Sequence, residues 1–155
     1  IKRKRRFKRT ATNQKESRVF LQRLKVLFNK INRRLDKQPI HVLFVCSQGI
    51  AHSGLMKAGL LELAEKMGIQ NCFVSLTGRS TFSDVFNPNL KKVDYIVFDP
   101  TNINLDWVKG NWKRVEPKSR AEIVEFPLLP NTGIFDEINY KNLVIKLLGK
   151  EAAKK

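Results

Sequence analysis

Cysteine is scarce in this 155-residue chain, with Cys46 and Cys72 the only two. Two cysteines cannot build a disulfide framework, and a reducing compartment is the simpler expectation. Long apolar runs are missing as well. None approaches the roughly 18–20 residues of a membrane span, so no transmembrane segment is expected. No spacing of His, Cys, Asp or Glu suggests a metal site, there is no dinucleotide-type glycine motif, and no internal repeat. Neither a metal nor a cofactor is therefore expected. Acidic residues are almost absent from one end of the chain. Residues 1–40 hold 15 Lys/Arg against two acids, Glu16 and Asp36, a balance of +13. Residues 41–155 hold 15 Lys/Arg against 12 acids, only +3, so most of the +16 total belongs to an arm. Hydrophobic residues at 42% exclude a wholly disordered chain.

The arm reads as two parts. Residues 1–13 form a basic tail in which Lys2, Arg3, Lys4, Arg5, Arg6, Lys8 and Arg9 leave only Ile1 and Phe7 to bury. Like charges repel there, and no core offsets the ordering entropy. Residues 14–38 read as a basic amphipathic helix. Phe20, Leu24, Leu27, Ile31 and Leu35 recur at three- and four-residue steps, while Arg18, Arg23, Lys25, Lys30, Arg33 and Arg34 occupy the remaining faces. Such a density of cations seeks phosphates, anionic lipid or an acidic protein. RNA is the expected partner, because neutralising several phosphates releases counterions and gives strong, sequence-tolerant affinity. A membrane-surface helix and a cleavable mitochondrial presequence are the alternatives. The chain opens on Ile1, as a processed or trimmed chain would. A mitochondrial matrix location is the expectation drawn from that, with the bacterial cytoplasm as the alternative.

Gln38-Pro39 marks the boundary, since the residue before proline is pushed out of helix. A domain over 40–150 follows, with 151–155 as a C-terminal tail. Ile40–Val45 reads as a buried parallel strand, followed by a helix over Gly54–Met67 with Leu55, Ala58, Leu61, Leu63 and Ala64 inward and Gly68 as its C-cap. Strands are expected over Asn71–Leu76, Asp94–Phe98 and Glu122–Phe126, and helices near Ile103–Lys109 and over Asp136–Leu148. The last helix carries Ile138, Leu143, Val144, Leu147 and Leu148 inward. Asn87-Pro88-Asn89 and Pro127–Gly133 read as turn-rich loops. Alternating strands and helices define an α/β class with a small four-stranded parallel sheet, a three-layer, flavodoxin-like or phosphatase-like sandwich carrying an N-terminal basic helical extension.

The chemistry-bearing element is the turn after the first strand. In an open parallel sheet, ligands sit at the carboxyl ends of strands, and a loop entering a helix there offers unpaired N–H groups and the positive end of a helix dipole. Ser47, Gln48, Gly49, Ile50, Ala51, His52 and Ser53 form the candidate anion cradle. Cys46 is the candidate nucleophile, its thiolate stabilised at such a position. Gly49 allows a tight turn, and Ser53 can cap the helix or assist the leaving thiolate. The plainer reading makes Cys46 a buried strand-end residue. Trp107 and Trp112, near Lys109, Lys113 and Arg114, can either stack on RNA or cover a sheet face.

The stretch Val42-Leu-Phe-Val-Cys46-Ser47-Gln-Gly49-Ile50-Ala-His-Ser53 resembles the phosphocysteine loop of enzyme IIB components of sugar phosphotransferase systems, lactose/cellobiose type. Cys46, Gly49, Ile50 and Ser53 fit that loop, and His52 stands where the family usually has Thr. Asp94-Tyr-Ile-Val-Phe-Asp-Pro100 is similar to the same family's third strand and following turn. The resemblance covers about residues 40–150, and only the loop is distinctive. It implies a cysteine phosphocarrier, with phosphate or a phosphorylated partner at the loop. The chain also resembles, more weakly, the low-molecular-weight tyrosine phosphatases, whose Cys-x5-Arg-Ser loop is matched at Cys46 and Ser53. Their arginine position is His52 here, and their late Asp-Pro general acid has no counterpart in Pro127-Leu-Leu-Pro-Asn131. Asp99-Pro100 has that dipeptide after the third strand instead. The basic arm looks like a ribosomal-protein extension. The expectation is thus an RNA-binding structural component of a ribonucleoprotein particle, a ribosome, in contact with its RNA and neighbouring proteins. Its phosphate-loop domain would be catalytically degraded, and an active Cys46 phosphocarrier or phosphatase relative is the alternative.

Overall fold

A computed structural model of the chain describes residues 18–31, 38–46, 50–69, 71–77 and 88–154. Two compact units divide it, one joining the N-terminal segment up to Arg34 with Ile145–Lys155, the other spanning Leu35–Val144.

In the first unit, residues 18–31 are helical (α1). Leu24 and Ile31 are buried and Phe20, Leu27 and Phe28 half-buried, the stripe that the three- and four-residue spacing predicts. The outer face is not purely basic, since Val19, Leu21 and Val26 lie exposed beside Arg18, Arg23, Lys25 and Lys30. The expected helical stretches at 14–17 and 32–37, and the tail at 1–13, lie outside the described residues.

The second unit is built on a four-stranded parallel sheet: β1 (Ile40–Val45), β2 (Phe73–Thr77), β3 (Tyr95–Phe98) and β4 (Glu122–Glu125), in the order β2-β1-β3-β4. Between and after them run α2 (Ile50–Lys66), a 3-10 turn (Pro88–Lys92), α3 (Leu105–Val115) and α4 (Glu137–Ala153), which continues into the other unit. β1 and β3 occupy the centre, and this explains their unbroken apolar sequences. Both of their faces are covered, so alternation with polar residues would bury polar groups. The edge strand β4 reads Glu-Ile-Val-Glu, with charges that discourage pairing to another chain.

Parallel register aligns Leu43 with Ile96 and Val45 with Phe98 on one face, where they join Leu90, Val93, Ile103, Val108 and Trp112 in a single core. Val42 aligns with Tyr95 and Phe44 with Val97, the positions that alternation sends to the opposite face. Step handedness agrees with this division. Moving from β1 to β2 and from β3 to β4 runs in opposite directions across the sheet, so right-handed crossovers put α2 and α3 on opposite faces. The result is a three-layer α/β sandwich.

Each helix end has a local cause. Ile69 N–H donates to Ala64 C=O (2.8 Å) and Gly68 N–H to Glu65 C=O (3.0 Å), a Schellman closure of α2 with Gly68 at φ +71°. Asn104 caps α3 by accepting from Asp106 N–H at 2.7 Å, and Asp136 caps α4 by accepting from Ile138 N–H at 3.1 Å.

Several expectations need correction. The buried face of α2 is Ser53, Met56, Leu60, Leu63 and Ala64, whereas Leu55 and Ala58 are exposed. The apolar residues of this helix nearly encircle it, so spacing alone left the phase open. Leu55 and Ala58 instead line a groove of about 270 Å³ with Ile134 and Phe135. Ile138, expected inward, is exposed in the first turn of α4. The helix expected near Ile103–Lys109 starts at Leu105 and runs on to Val115. The expected tail at 151–155 is helical to Ala153, with Glu151 buried and paired to Lys154 at 3.3 Å.

Candidate functional site

The order of the strands reverses between β1 and β3, and the crevice at the carboxyl ends of those two strands is where open parallel sheets place their ligands. Cys46 is the first residue beyond β1, and Asp99 the first beyond β3. Because Val45 is the register partner of Phe98, the thiol and the carboxylate are the next pair along the two neighbouring strands. Both are buried, Cys46 to 1% exposure.

α2 begins at Ile50, four residues before the expected Gly54. Residues 50–53, expected in the loop, therefore form its first turn. Ser53 is fully buried inside the helix, so it does not occupy the capping position before it. Ser47, Gln48 and Gly49, the centre of the expected cradle, lie outside the described residues. For Ile50 and Ala51 the helical backbone alone is described.

His52 projects from this first turn toward the end of β3. Its Nε2 lies 3.7 Å from Asp99 Oδ2 and 3.4 Å from Asn102 Nδ2. Asp99 is held by its own turn. Oδ1 accepts from Thr101 N–H (3.0 Å) and Thr101 Oγ1–H (2.7 Å), and Oδ2 accepts from Asn102 Nδ2 (3.2 Å). Its carbonyl accepts from Asn102 and Ile103 N–H. His52, Asp99 and Asn102 thus meet at the switch point, and Cys46 stands at the end of the neighbouring strand β1.

This arrangement limits the chemistry. The Asp99 carboxylate, fixed by Thr101 and Asn102, lies 3.7 Å from His52 in the first turn of α2, and a like charge brought close to it would be repelled. Imidazole at position 52 lacks the planar fork with which arginine makes a bidentate grip. Its Nε2 already faces Asp99 and Asn102. Sequence reasoning weighed Asp99 only as a displaced general acid and passed over Asn102. Strand order supplies the missing signal, since it makes β1 and β3 neighbours and brings their carboxyl ends together.

The late loop is organised by a buried amide. Asn139 Oδ1 accepts from Leu129 N–H (3.0 Å), while its Nδ2 donates to Gly133 C=O and Thr132 Oγ1, both at 3.1 Å. Asn131 adopts a left-handed φ of 63° there. No carboxylate enters this loop between Pro127 and Gly133.

Of the residues expected to meet RNA, Arg18 and Arg23 are exposed on α1. Lys2, Arg3, Lys4, Arg5, Arg6, Lys8, Arg9, Arg33 and Arg34 lie outside the described residues. Trp112 is 4% exposed and belongs to the core between α3 and the sheet, the sheet-covering one of its two expected places; Trp107 is 37% exposed. Cys72 is buried.

Among the described residues no group of three or more His, Cys, Asp and Glu could hold a metal ion, and no helix is long and apolar enough to cross a membrane. The fold and the site together define a four-stranded parallel α/β sandwich with a His52–Asp99–Asn102 group at its topological switch point, beside the strand end that carries Cys46. No protein-family model matches the chain, and no curated protein matches it.

Proposed function

We propose that this protein is an RNA-binding structural component of a ribonucleoprotein particle, of which the ribosome is the type that such arms fit. In this reading the α/β domain is the body that the arm anchors. The observation that carries it is the charge partition: 15 Lys/Arg against two acids in residues 1–40, and near balance afterwards. An arm of that density gains affinity by counterion release without needing a shaped pocket. Neighbouring proteins of the particle would meet the folded body.

Three features of the switch point favour a retired phosphate loop over a working one. Cys46 is buried, position 52 lacks a guanidinium, and the imidazole that stands there faces the Asp99 carboxylate at 3.7 Å.

The test is RNA affinity across a salt series, from about 50 to about 200 mM, for the full chain and a variant with Lys2, Arg3, Lys4, Arg5, Arg6, Lys8 and Arg9 all changed to Gln. If all seven contact phosphates of single-stranded RNA, the slope of log K against log salt becomes shallower by about 5, at roughly 0.7 per contact. An unchanged slope, or a full chain that does not bind RNA, refutes the reading. Incubation with a phosphoryl donor or an aryl phosphate, with Cys46→Ser as control, examines the rival. A Cys46-dependent phosphoenzyme or turnover would establish the phosphocarrier or phosphatase alternative instead.

A further inference from the structure

The outward face of α3 has features that the fold itself does not require. Val108 and Trp112 point into the core, and Leu105 and Val115 pack beside them. One turn apart on the outer side stand Trp107, Gly110, Asn111 and Arg114, the i, i+3, i+4, i+7 positions of a single stripe. Trp107 holds 37% of its surface open, although an indole is among the side chains that gain most from burial.

Gly110 is the telling neighbour. Glycine inside a helix is unfavourable unless something must come close. At Gly59 that something is internal, since a Cβ there would run into the Tyr140 ring. At Gly110, as at the helical Gly54 and Gly149, a Cβ would meet nothing within 4 Å, so internal packing does not require the glycine. What sets Gly110 apart is the exposed Trp107 one turn away. A stretch of helix backbone without side chain thus lies beside the partly exposed Trp107.

The polar members of the stripe are held in place. Arg114 Nη2 donates to Asn111 Oδ1 at 3.0 Å, and Asn111 Nδ2 donates to Trp107 C=O at 2.8 Å. The exposed guanidinium is thus tied to Asn111, itself one turn from Trp107, which lowers the ordering entropy of a contact made there. Charge around the stripe is one-sided. Residues 105–120 carry Lys109, Lys113, Arg114, Lys118 and Arg120 against Asp106 and Glu116, a balance of +3 that equals the whole balance of residues 41–155.

We propose that this face of α3 is a second nucleic-acid contact, where an unpaired base stacks on Trp107 over Gly110 while Arg114, Lys113 and Lys109 meet the flanking phosphates. The occupant is single-stranded or loop RNA. An aromatic platform bordered by cations suits unpaired bases, whereas the bases of a duplex are already stacked on one another. The proposal rests on the reading of the protein as an RNA binder, and it assigns to the domain a contact independent of the arm.

The two tryptophans make a direct experiment available. Trp112 is in the core, so quenching of Trp107 emission reports on the stripe. The probe is a labelled oligouridylate of about 12 nucleotides, a length within the range that single-strand sites span. The protein is the full chain, tested alongside Trp107→Ala, Trp107→Phe, Gly110→Leu and the seven-glutamine tail variant. Trp107→Ala should weaken binding roughly tenfold, while Trp107→Phe, which keeps a π-face, should lose less. Gly110→Leu should raise the melting temperature through helix propensity and yet weaken binding, a split that loss of folding cannot produce. Oligouridylate should quench the emission of the wild type, and an RNA duplex should compete poorly.

If Trp107→Ala and Gly110→Leu bind as the wild type does, the α3 proposal fails while the arm reading stands. Equal competition by duplex RNA also refutes it. If the tail variant keeps its salt slope while the Trp107 effect persists, the arm reading fails and α3 carries the binding. A full chain that binds no RNA refutes both.

Discussion

Adding one methyl group at Gly59 tests the packing that holds α2 to α4. Built on the Gly59 backbone, a Cβ collides with Tyr140 Cζ and stands 2.6 and 2.7 Å from Cε2 and Cε1. That is about 1 Å inside the separation at which carbon atoms attract. The ring has little freedom to retreat. Its hydroxyl donates to Ile134 C=O at 2.7 Å, and its centroid lies 5.3 Å from that of Phe126. Overpacking of this kind costs about 1–3 kcal/mol, and with the ring tethered at both ends the upper half of that range applies. Alanine returns about 1 kcal/mol of helix propensity. Gly59→Ala should therefore destabilise by about 1–2 kcal/mol, a fall in Tm of roughly 2–8 °C for a chain of this size. Tyr140→Leu removes the colliding ring atoms, and in that background Gly59→Ala should reverse sign and stabilise by about 1 kcal/mol. Gly110→Ala, where a Cβ meets nothing, serves as the internal control and should stabilise in the wild type. Urea and thermal unfolding of the four members of the cycle measure the coupling. If Gly59→Ala stabilises the wild type, or shifts both backgrounds equally, the packing argument is wrong.

Two further outcomes follow from the same region. Burial pushes the Tyr140 hydroxyl up to about 12, from an ordinary value of 10.0. The folded chain thus keeps a proton that the unfolded chain releases, so the contribution is intact below about pH 10 and is lost as pH rises toward 12. Alkaline unfolding should carry roughly 2–3 kcal/mol from this group, and Tyr140→Phe should flatten the stability profile between those limits. A profile that Tyr140→Phe leaves unchanged would refute the assignment. Asn139→Ala should cost about 1–2 kcal/mol, because Leu129 N–H and Gly133 C=O lose the buried amide that ties them together and, lying on exposed residues, turn to water instead. Hydrogen exchange should then accelerate over residues 127–136 while β1 and β3 keep their protection; uniform acceleration would show the amide to be part of the global core instead.

Much of this architecture is written in local pattern. Ile40–Val45 is apolar throughout because a central strand is covered on both faces, and its limits are those that the sequence predicts. Gly68 ends α2 because only a left-handed residue closes that turn cheaply, and Asp136 opens α4 because its carboxylate satisfies an amide of the first turn. The stripe Phe20–Leu24–Leu27–Ile31 is legible for the same reason, being a period that one helix imposes by itself. Where apolar residues surround a helix, as in α2, its phase depends on what packs against it. Leu55 and Ala58 lie outward for that reason, and Met56 and Leu60 inward.

The charge asymmetry and the identities at the loop, cysteine at 46 and imidazole at 52, are determined by sequence alone, because a composition needs no neighbour. Only the tertiary structure decided what faces His52. Asp99 lies 47 residues further along the chain and becomes a neighbour only because β3 pairs with β1 and not with β2. The same is true of the two tryptophans. Five residues apart and chemically alike, they part because one turn and a half of helix sends Trp112 into the sheet and leaves Trp107 on the surface. Chain order decides which side chains are present, and strand pairing decides which of them meet.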